Sequence, residues 1–433
     1  MTFPKLGLPR EAVLEQLEAK RAGDADWHGG RVFGYVYNAG DEVTELLKMV
    51  YERFGMTNAL NPMAFPSLRD CEAETLEMTA DLLHGKDAVG TVNTGGTESI
   101  CLAVKTAREW ARAERGERSP EMVLPITVHP AFHKAAHYFD VKPVTVPIGA
   151  DYRVDLDALR DAVNEHTILL VGSAPCFPYG VVDPIEEIAA LAAERGLLCH
   201  VDACLGGFML PFVERLGHPV PPFDFRVEGV TSLTADLHKY GYTAKGASTV
   251  LYRDRALRLK QFFSYTEWPG GMYASPSMTG ARGGGPIAAA WAVLKLLGED
   301  GYLRLARDAM GATEQILEGV RGTAGLSILG APAMTVLAFG SEELDVYAVS
   351  ELMEQHGWHL DRLQLPPALH MTVSPIHHQV VGRFLEHLRG ATKRVADEGL
   401  TAQGAGAMYG MLADLPDRGQ VHELILQFLD GMY

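Results

Sequence analysis

The part of the sequence that most constrains the fold lies between residues 167 and 201, where two apolar segments enclose an amphipathic one. The apolar segments, Thr167–Val171 and Leu197–Val201, have the length of buried strands. Between them, the spacing of apolar residues predicts a helix over Asp183–Arg195, with Asp183 as its N-cap and Gly196 as its stop. This order predicts a strand-helix-strand crossover, the unit that builds a parallel sheet.

The same alternation continues from about residue 70 to residue 300. Further strands are predicted at Ala88–Val92 and Met122–Ile126, so this segment is predicted to form a mainly parallel sheet that is covered on both faces. After Gly298 the pattern changes, and the remainder is expected to form a smaller α+β domain. Its predicted helices are Tyr302–Val320, Asp345–His356, Val380–Asp397 and Val421–Leu429, and its predicted strands are Leu326–Leu329 and Thr335–Phe339.

The first 60 residues lack an apolar pattern that could form a core of its own. Helices are predicted at Pro9–Ala22 and Asp41–Phe54. Such an arm packs on another domain or on a partner subunit, and we expect the second. Since a chain of 433 residues exceeds the usual size of a single core, we predict an arm over 1–60, a large domain over 61–300 and a small domain over 301–433.

Composition and charge exclude several classes of function. Hydrophobic residues make up 47% of the chain and charged residues 21%, which is typical of a soluble globular enzyme. The formal net charge of -17 argues against binding nucleic acid or an anionic membrane through bulk electrostatics. An anionic ligand would therefore need a local pocket of positive charge.

The cysteine content indicates a reducing compartment. The five cysteines are odd in number and include no CxxC pair, so we expect reduced thiols in the cytoplasm and no metal site. The N-terminus has no basic segment followed by an apolar one, so no secretory signal is predicted. The most apolar long run, Ile168–Val182, is interrupted by glycines and prolines, so no membrane span is predicted.

Two residues in the centre of the chain suggest a particular chemistry. Asp202 follows a predicted strand, at the edge where parallel sheets bind ligands, although a helix cap would also explain it. Lys239 comes 37 residues later in a glycine-bearing turn, where a plain surface lysine is the alternative. An enzyme that uses pyridoxal phosphate needs a lysine to form an imine with the cofactor and a carboxylate to keep its ring nitrogen protonated. We expect burial and nearby cations to lower the pKa of this lysine.

A glycine-rich loop could hold the phosphate of that cofactor. The loop Asn93–Ser99 lies between a predicted strand and a predicted helix, and its backbone N–H groups at the helix N-terminus would form an anion site. A capped turn is the alternative interpretation. His238 could contribute to the same phosphate site, and His129 could stack on the pyridine ring. We interpret His133, His137 and His200 as supporting or structural residues.

Other side chains could bind the substrate. Cys204 lies two residues after Asp202, although a buried inert cysteine is the alternative. Lys245 and Arg282 could neutralise a substrate phosphate, or they could be solvated surface charges. The loop over Gly270–Gly285 is too rich in glycine and hydroxyl groups for a plain linker, and we expect it to line a site or an interface.

Several sequence blocks occur together in an order that a known family shares. They are TNALNPMAFPSLR, NTGGTESI, HVDACLGGF, DFRVEGVTSLTADLHKYGYTAKG, YASPSMTGARGGG, QLPPALH and GAMYGM. With these blocks the chain resembles the fold-type I pyridoxal-phosphate enzymes of the group II decarboxylase superfamily, and within it the sphingosine-1-phosphate lyases. The resemblance extends from about Val32 to Tyr433.

The resemblance implies an α/β fold and an activity. The fold would have a mainly parallel seven-stranded sheet in the large domain and a smaller α+β C-terminal domain. The active unit would be a homodimer with its site at the subunit interface. The activity would be a retro-aldol cleavage of the Cα–Cβ bond of a phosphorylated long-chain amino alcohol, which yields a fatty aldehyde and phosphoethanolamine. The alternative is an amino-acid α-decarboxylase, or a lyase that acts on a different and possibly non-phosphorylated substrate.

The resemblance also assigns roles to residues. Lys239 would form the imine, Asp202 would pair with the pyridinium and His129 would stack on the ring. The other cofactor-binding residues would be Gly95, Gly96, Thr97, Ser173 and His238, with Ser275, Ser277 and Gly280 contributed by the neighbouring subunit. The substrate-binding residues would be Tyr37, Asn61, Cys204, Lys245 and Arg282. Lys239, Lys245 or a tyrosine such as Tyr37 would transfer protons, and the sequence does not distinguish among them.

The chain departs from the family pattern in two places. Asn61 stands where the family usually carries a histidine of the substrate side of the site, and Met63 stands where it carries an acidic residue. Because Asn61 cannot add positive charge or transfer a proton, a different substrate is possible. The eukaryotic lyases also carry an N-terminal membrane-spanning segment that this sequence does not contain, so we expect a soluble enzyme of the bacterial type.

Overall fold

The computed structural model describes residues 2–432. Its strands are β1 Val89–Asn93, β2 Glu121–Pro125, β3 Lys142–Val146, β4 Thr167–Ser173, β5 Leu198–Asp202, β6 Ser232–Ala235, β7 Ser248–Tyr252, β8 Phe263–Tyr265, β9 Tyr273–Ser275, β10 Ser327–Ile328, β11 Val336–Gly340, β12 Asp361–Gln364 and β13 Pro367–Thr372. Its helices are α1 Arg10–Arg21, α2 Asp41–Phe54, α3 Pro66–Leu82, α4 Gly96–Glu114, α5 Ala131–Phe139, α6 Leu156–Ala162, α7 Ile185–Glu194, α8 Leu210–Arg215, α9 Arg255–Gln261, α10 Gly284–Arg321, α11 Val346–Gln355, α12 Val381–Glu398, α13 Ala405–Asp414 and α14 Arg418–Met432, with a 3-10 helix at Pro375–Gln379.

A seven-stranded sheet forms the centre of the molecule, in the order β1-β7-β6-β5-β4-β2-β3. The five strands from β6 to β3 pair in parallel, while β7 is antiparallel to both of its neighbours. Every residue of β4 and β5 is buried, because helices cover both faces of the sheet. The expected α/β fold with a mainly parallel seven-stranded sheet is therefore confirmed.

The crossover predicted over residues 167–201 is present as β4, α7 and β5. The prediction that Asp183 caps the helix is wrong, since Pro184 is the N-cap residue and no side chain caps α7. The carboxylate of Asp183 instead accepts the backbone N–H groups of Val154 and Ser173, at 3.0 and 2.9 Å. Asp183 thus fixes the end of β4 next to the candidate site.

A second sheet lies in the C-terminal part of the chain. It is antiparallel, with the order β10-β11-β13-β12, and α11 and α12 pack against it around the buried Trp358 and Phe384. The helix α10 leads into this part and breaks at Gly298, whose φ of 54° is a left-handed value that glycine tolerates. The boundaries at residues 60 and 300 remain predictions.

The N-terminal arm is divided between two environments. The helix α1 buries no residue. Residues 31–54, by contrast, pack on the chain itself: Phe33 donates to the carbonyl of His359 at 3.2 Å, and α2 packs its buried Val50 against α10. The expectation that the whole arm packs on a partner is therefore wrong for residues 31–54. Within residues 2–432, no helix combines the length and apolar character needed to cross a membrane.

Candidate active site

The site lies at the carboxyl edge of the central strands. Ser173, Asp202 and Thr234 are register neighbours on β4, β5 and β6. One carboxylate oxygen of Asp202, Oδ1, accepts the backbone N–H of Cys204 at 3.1 Å and the Thr234 hydroxyl at 3.4 Å. The other oxygen, Oδ2, makes no hydrogen bond within the described residues, so it can accept one from a ligand.

Lys239 lies in the turn after β6, where its backbone N–H donates to the carbonyl of Asp236 at 3.2 Å. Its Nζ atom is 3.1 Å from Oδ2 of the buried Asp236. Burial alone would lower the pKa of Lys239, but the adjacent carboxylate raises it above its ordinary value. The expected lowering of this pKa is therefore wrong for the lysine as it stands in this structure.

The glycine loop forms the N-terminus of α4. Gly95 is the N-cap residue and Gly96 begins the helix, which leaves the N–H groups of the first turn free to bind an anion. A Cβ atom on Gly96 would lie 2.7 Å from Asp236 Oδ2 and 2.9 Å from Cys204 Sγ. A side chain at this position would displace one of these two groups, and Gly96 also lines an open cavity at the helix N-terminus.

Both candidate histidines are neutral hydrogen-bond donors. Nδ1 of His238 accepts the backbone N–H of Ala247 at 3.2 Å, and Nδ1 of His129 accepts that of Ala131 at 3.1 Å. Each ring therefore carries its proton on Nε2. Burial lowers the pKa of His238 to about 4 and also lowers that of His129. A neutral His238 can donate to a phosphate oxygen, and a neutral His129 suits stacking on a cationic ring.

Tyr37 and Lys245 lie on the opposite side of Lys239 from the glycine loop. The Lys245 Nζ atom lies 5.1 Å from the centre of the Tyr37 ring and donates to the carbonyl of His238 at 3.3 Å. Partial burial lowers the pKa of Lys245 to about 8, and the positive charge of Lys239 acts in the same direction. Burial raises the pKa of Tyr37 to about 12. Lys245 is thus the better proton acceptor of the two.

The predicted residues meet in one cleft of about 200 Å³, which continues into a second cavity beside the glycine loop. The predicted residues that line the first are Tyr37, His129, Asp202, Cys204, Lys239 and Lys245, and those that line the second include Gly95, Gly96, Thr97 and His238. Ser173 is buried at the end of β4 with its hydroxyl unpartnered within residues 2–432.

The histidines interpreted as structural lie outside both cavities. His200 is buried against Ser232, and His133 and His137 are exposed on α5.

Besides Ser173, five predicted residues line neither cavity. Asn61 is exposed, and its side chain caps a turn by accepting the N–H groups of residues 63 and 64. Arg282 is buried and forms a two-pronged ion pair with Glu72, at 2.6 and 2.9 Å. Ser275 ends β9, and Ser277 and Gly280 belong to the loop that follows, which contacts Glu98 through the Met278 N–H at 2.9 Å. Their assigned roles remain predictions.

Sequence reasoning missed four residues of the site. Tyr35, Asp361 and Thr372 line the cleft, and the Tyr35 hydroxyl donates to the Asp361 carboxylate. These residues come from the arm and from β12 and β13, whose approach to the site has no local sequence signal. Asp236 was also missed, although an acidic residue three positions before the lysine, in the same tight turn, could have indicated it.

Comparison with known proteins places this geometry in a family. Residues 23–341 match the model of the pyridoxal-dependent decarboxylase conserved domain. The chain is 44% identical to the sphingosine-1-phosphate lyase of Arabidopsis thaliana, over 100% of this chain and 81% of that protein. It is 34% identical to a probable L-aspartate decarboxylase of Pyrococcus abyssi, over 90% of this chain and 99% of that protein.

Among solved structures, the sphingosine-1-phosphate lyase of Burkholderia pseudomallei superimposes with a TM-score of 0.90 and 42% identity. The match covers 96% of both chains. The chain therefore belongs to the pyridoxal-dependent decarboxylase family and, within it, to the group of the sphingosine-1-phosphate lyases.

Proposed function

We propose that this chain is a pyridoxal-phosphate-dependent lyase that cleaves the Cα–Cβ bond of a phosphorylated long-chain amino alcohol of the sphingosine 1-phosphate type. The products would be a fatty aldehyde and phosphoethanolamine. The observation that carries the proposal is the single cleft in which Lys239 and Asp202 face Tyr37 and Lys245. The similarity to sphingosine-1-phosphate lyases over the whole chain supports this choice of substrate.

The residues present fit pyridoxal phosphate. The cavity lined by Gly95, Gly96 and Thr97 lies at the helix N-terminus, where a phosphate is stabilised. Asp202 offers a free oxygen to a ring N–H, and Lys239 offers the amine for covalent attachment. When bound, the cofactor accepts the electrons of the bond that breaks at the substrate Cα.

Lys245 is positioned to move the proton that this cleavage requires. The hydroxyl group on Cβ must lose its proton when the aldehyde forms, and the acceptor works best when its pKa is close to the ambient pH. Lys245, with a pKa of about 8, meets this condition, whereas Tyr37, with a pKa of about 12, holds its proton. We assign proton acceptance to Lys245 Nζ and a positioning role to the Tyr37 ring beneath it.

An amino-acid α-decarboxylase is the second candidate function. The Pyrococcus relative named as a probable L-aspartate decarboxylase favours it, and so does the absence of a positive charge at Asn61. The same cofactor breaks whichever Cα bond the site holds perpendicular to its ring, so substrate positioning decides between the two reactions. Release of carbon dioxide in place of an aldehyde would identify this function.

The assembly and the compartment are further proposals. A homodimer would cover the exposed apolar residues of α1, such as Leu14 and Leu17, each 51% exposed. In a homodimer, the segment with Ser275 and Ser277 could also line the cleft of the partner chain, since it does not line the cleft of its own chain. The cytoplasm is supported by the five cysteines, all of which are free thiols.

A product assay tests the proposed function. The purified yellow protein is incubated with sphingosine 1-phosphate and, separately, with a panel of amino acids, and aldehyde and carbon dioxide are measured together. We expect aldehyde from sphingosine 1-phosphate and no carbon dioxide. The matched control is Lys239→Ala, which should lose both the product and the visible absorbance of the attached cofactor. Carbon dioxide without aldehyde would overturn the lyase assignment.

A further inference from the structure

Asp236 is a buried carboxylate to which the proposed reaction gives no task. It follows β6 directly and is only 2% exposed. Buried carboxylates are costly unless they are paired, and aspartates elsewhere in this chain, such as Asp155 and Asp345, accept backbone N–H groups at helix N-termini. Asp236 differs from them: Oδ2 faces Lys239 Nζ at 3.1 Å, and Oδ1 has no hydrogen-bond partner within residues 2–432.

A row of buried polar side chains fixes the position of this carboxylate. The Ser248 hydroxyl on β7 lowers the pKa of Asp236 and lies 2.8 Å from the Ser99 hydroxyl on α4. The Ser99 hydroxyl in turn accepts a hydrogen bond from Asn93 Nδ2 at 3.1 Å. The row links the sheet to the helix that begins with the glycine loop. Asp236 is therefore held in one place, between Lys239 and the glycine loop.

Asp236 and Lys239 form an ion pair in which both partners are charged. Burial would raise the pKa of Asp236, but the charge of Lys239 holds it below its ordinary value. In return, Asp236 raises the pKa of Lys239 against the effect of burial. The other titratable groups around Lys239 are Asp202, Cys204, Tyr37, His129, His238 and Lys245. Asp236 raises the pKa of Lys239 more than any of these other groups does.

We propose that Asp236 is the resting counter-ion of Lys239: whenever the lysine is not bonded to the cofactor, the carboxylate holds its ammonium group beside the glycine loop. This role makes Asp236 a positioning residue, because it acts through Lys239. The proposal does not depend on the identity of the substrate. It rests on the two side chains and the cofactor aldehyde alone.

A defined chemical step follows from this arrangement. Before Lys239 can bond to the aldehyde of pyridoxal phosphate, its ammonium group must release one proton to solvent. The neutral nitrogen then bonds to the aldehyde carbon, and the aldehyde oxygen leaves as water. Since Asp236 stabilises the ammonium form, it sets the pH at which attachment becomes fast. Removing its charge would leave a buried, uncompensated ammonium group, which loses its proton readily.

The test measures how fast the cofactor attaches to the full-length protein after the cofactor has been removed. Growth of the visible absorbance is followed from pH 5 to pH 10 at a saturating concentration of pyridoxal phosphate. Because the pKa of Lys239 in the wild type lies above its ordinary value of about 10.5, the midpoint, which is the pH of half-maximal attachment rate, lies above this range. Below the midpoint the rate should rise about tenfold per pH unit, so a shift of the midpoint is measured as the ratio of the variant's rate to that of the wild type at the same pH. For Asp236→Asn, we expect the pH at which the attachment rate is half-maximal to fall by about two pH units or more, because the pKa of a buried lysine without a counter-ion falls by a similar amount. At pH 7 this variant should attach the cofactor about a hundredfold faster than the wild type.

Asp224→Asn is the matched control. Asp224 is also a fully buried carboxylate with a cationic partner, Arg226 at 2.9 Å, but it does not line the cleft. This control should leave the midpoint unchanged, even if it destabilises the protein. A structural role for Asp236 would slow attachment at every pH without moving the midpoint. An unchanged midpoint in folded Asp236→Asn would therefore overturn the proposal.

A second variant keeps the proposal testable if Asp236→Asn does not fold. Ser248→Ala removes the hydroxyl that lowers the pKa of Asp236 and leaves the carboxylate in place. Since the carboxylate stays charged, attachment in this variant should be as slow as in the wild type, or slower, at every pH. Circular dichroism establishes that the variant is folded. A folded Ser248→Ala protein that attaches the cofactor much faster than the wild type at pH 7 would count against the role of Asp236.

Discussion

At the scale of single residues, Asp202 is the side chain on which turnover should depend most strongly. Asp202→Ala removes the carboxylate that faces the cofactor ring nitrogen. Losing one partner of a buried charge pair costs about 3–5 kcal/mol. If this cost is added to the activation free energy, it corresponds to roughly two to four orders of magnitude in rate. We expect turnover to fall by this factor while the visible absorbance of the attached cofactor persists.

The control for this prediction is Asp161→Ala, an exposed aspartate on α6. It should retain the turnover of the wild type in the same assay. Near-normal turnover in Asp202→Ala would mean that the ring nitrogen has another partner. Loss of the visible absorbance would mean that Asp202 holds the cofactor in place as well as charging its ring.

Lys245 should determine the pH dependence of the reaction. Its pKa is lowered to about 8, so the amine loses its proton as the pH rises through 8 and the basic form accumulates above it. If Lys245 accepts the substrate proton, turnover should rise about tenfold between pH 7 and pH 9 and then level off. Lys245→Gln should lose this rise and, at pH 9, turn over roughly a hundredfold or more slowly than the wild type.

A second lysine above an aromatic ring provides the control. Lys295 lies 5.8 Å from the centre of the Trp291 ring, in the same type of contact that Lys245 makes with Tyr37. Lys295→Gln should keep the pH profile of the wild type. If Lys245→Gln retained the rise near pH 8, a different group would be the proton acceptor.

The meeting of Lys239 and Asp202 in one cleft could be predicted from the sequence, while the surroundings of these two residues could not. Lys239 and Asp202 follow strands at one sheet edge, so the fold itself brings them together. Tyr35 and Asp361 meet because residues 31–37 pair with the C-terminal sheet. That pairing joins segments more than 300 residues apart, and a single sequence carries no local signal for it.

At the scale of elements, the N-terminus of α4 should tolerate no side chain at Gly96. Gly96→Ala would place a methyl group 2.7 Å from Asp236 Oδ2 and 2.9 Å from Cys204 Sγ. Overpacking of this kind costs about 1–3 kcal/mol, so we expect the cofactor to bind roughly ten to a hundred times more weakly. Equilibrium titration with pyridoxal phosphate measures the effect.

Gly311→Ala in α10 is the matched control. A Cβ atom at this helical position meets nothing within 4 Å, so it should stabilise the protein by about 0.5–1 kcal/mol. Cofactor affinity should not change in this variant. Equal affinities of the wild type and Gly96→Ala would show that Asp236 and Cys204 accommodate the methyl group without disturbing the cofactor site.

Elements with a strong amphipathic pattern were predicted well, and those without one were not. The predicted bounds of α2 agree with the structure, and α1 differs by one residue at each end. β12 and β13 were missed, because a proline lies in the turn between them and a second one begins β13, and because their pairing gives them their strand character. The capping role expected for Asp183 failed because a tertiary contact with Val154 takes its carboxylate.

At the scale of the whole molecule, we expect two chains to share their sites. Ser275 ends β9, and the loop that follows carries Ser277 and lies against Glu98, at the first turn of α4. It is close to the glycine loop but does not line the cleft of Lys239 in its own chain. A loop in this position could reach the cleft of a neighbouring copy across a two-fold axis.

Mixing two inactive variants tests this arrangement. Lys239→Ala lacks the reactive lysine but keeps an intact loop, and Ser277→Trp keeps the lysine but carries a blocked loop. If the loop serves the partner's site, each mixed dimer has one complete site. Because random reassortment yields half mixed dimers, about a quarter of the wild-type activity should return. Mixing Lys239→Ala with Asp202→Ala should restore none, since both changes fall in the same chain's cleft. No recovery in the first mixture would mean that each chain completes its own site.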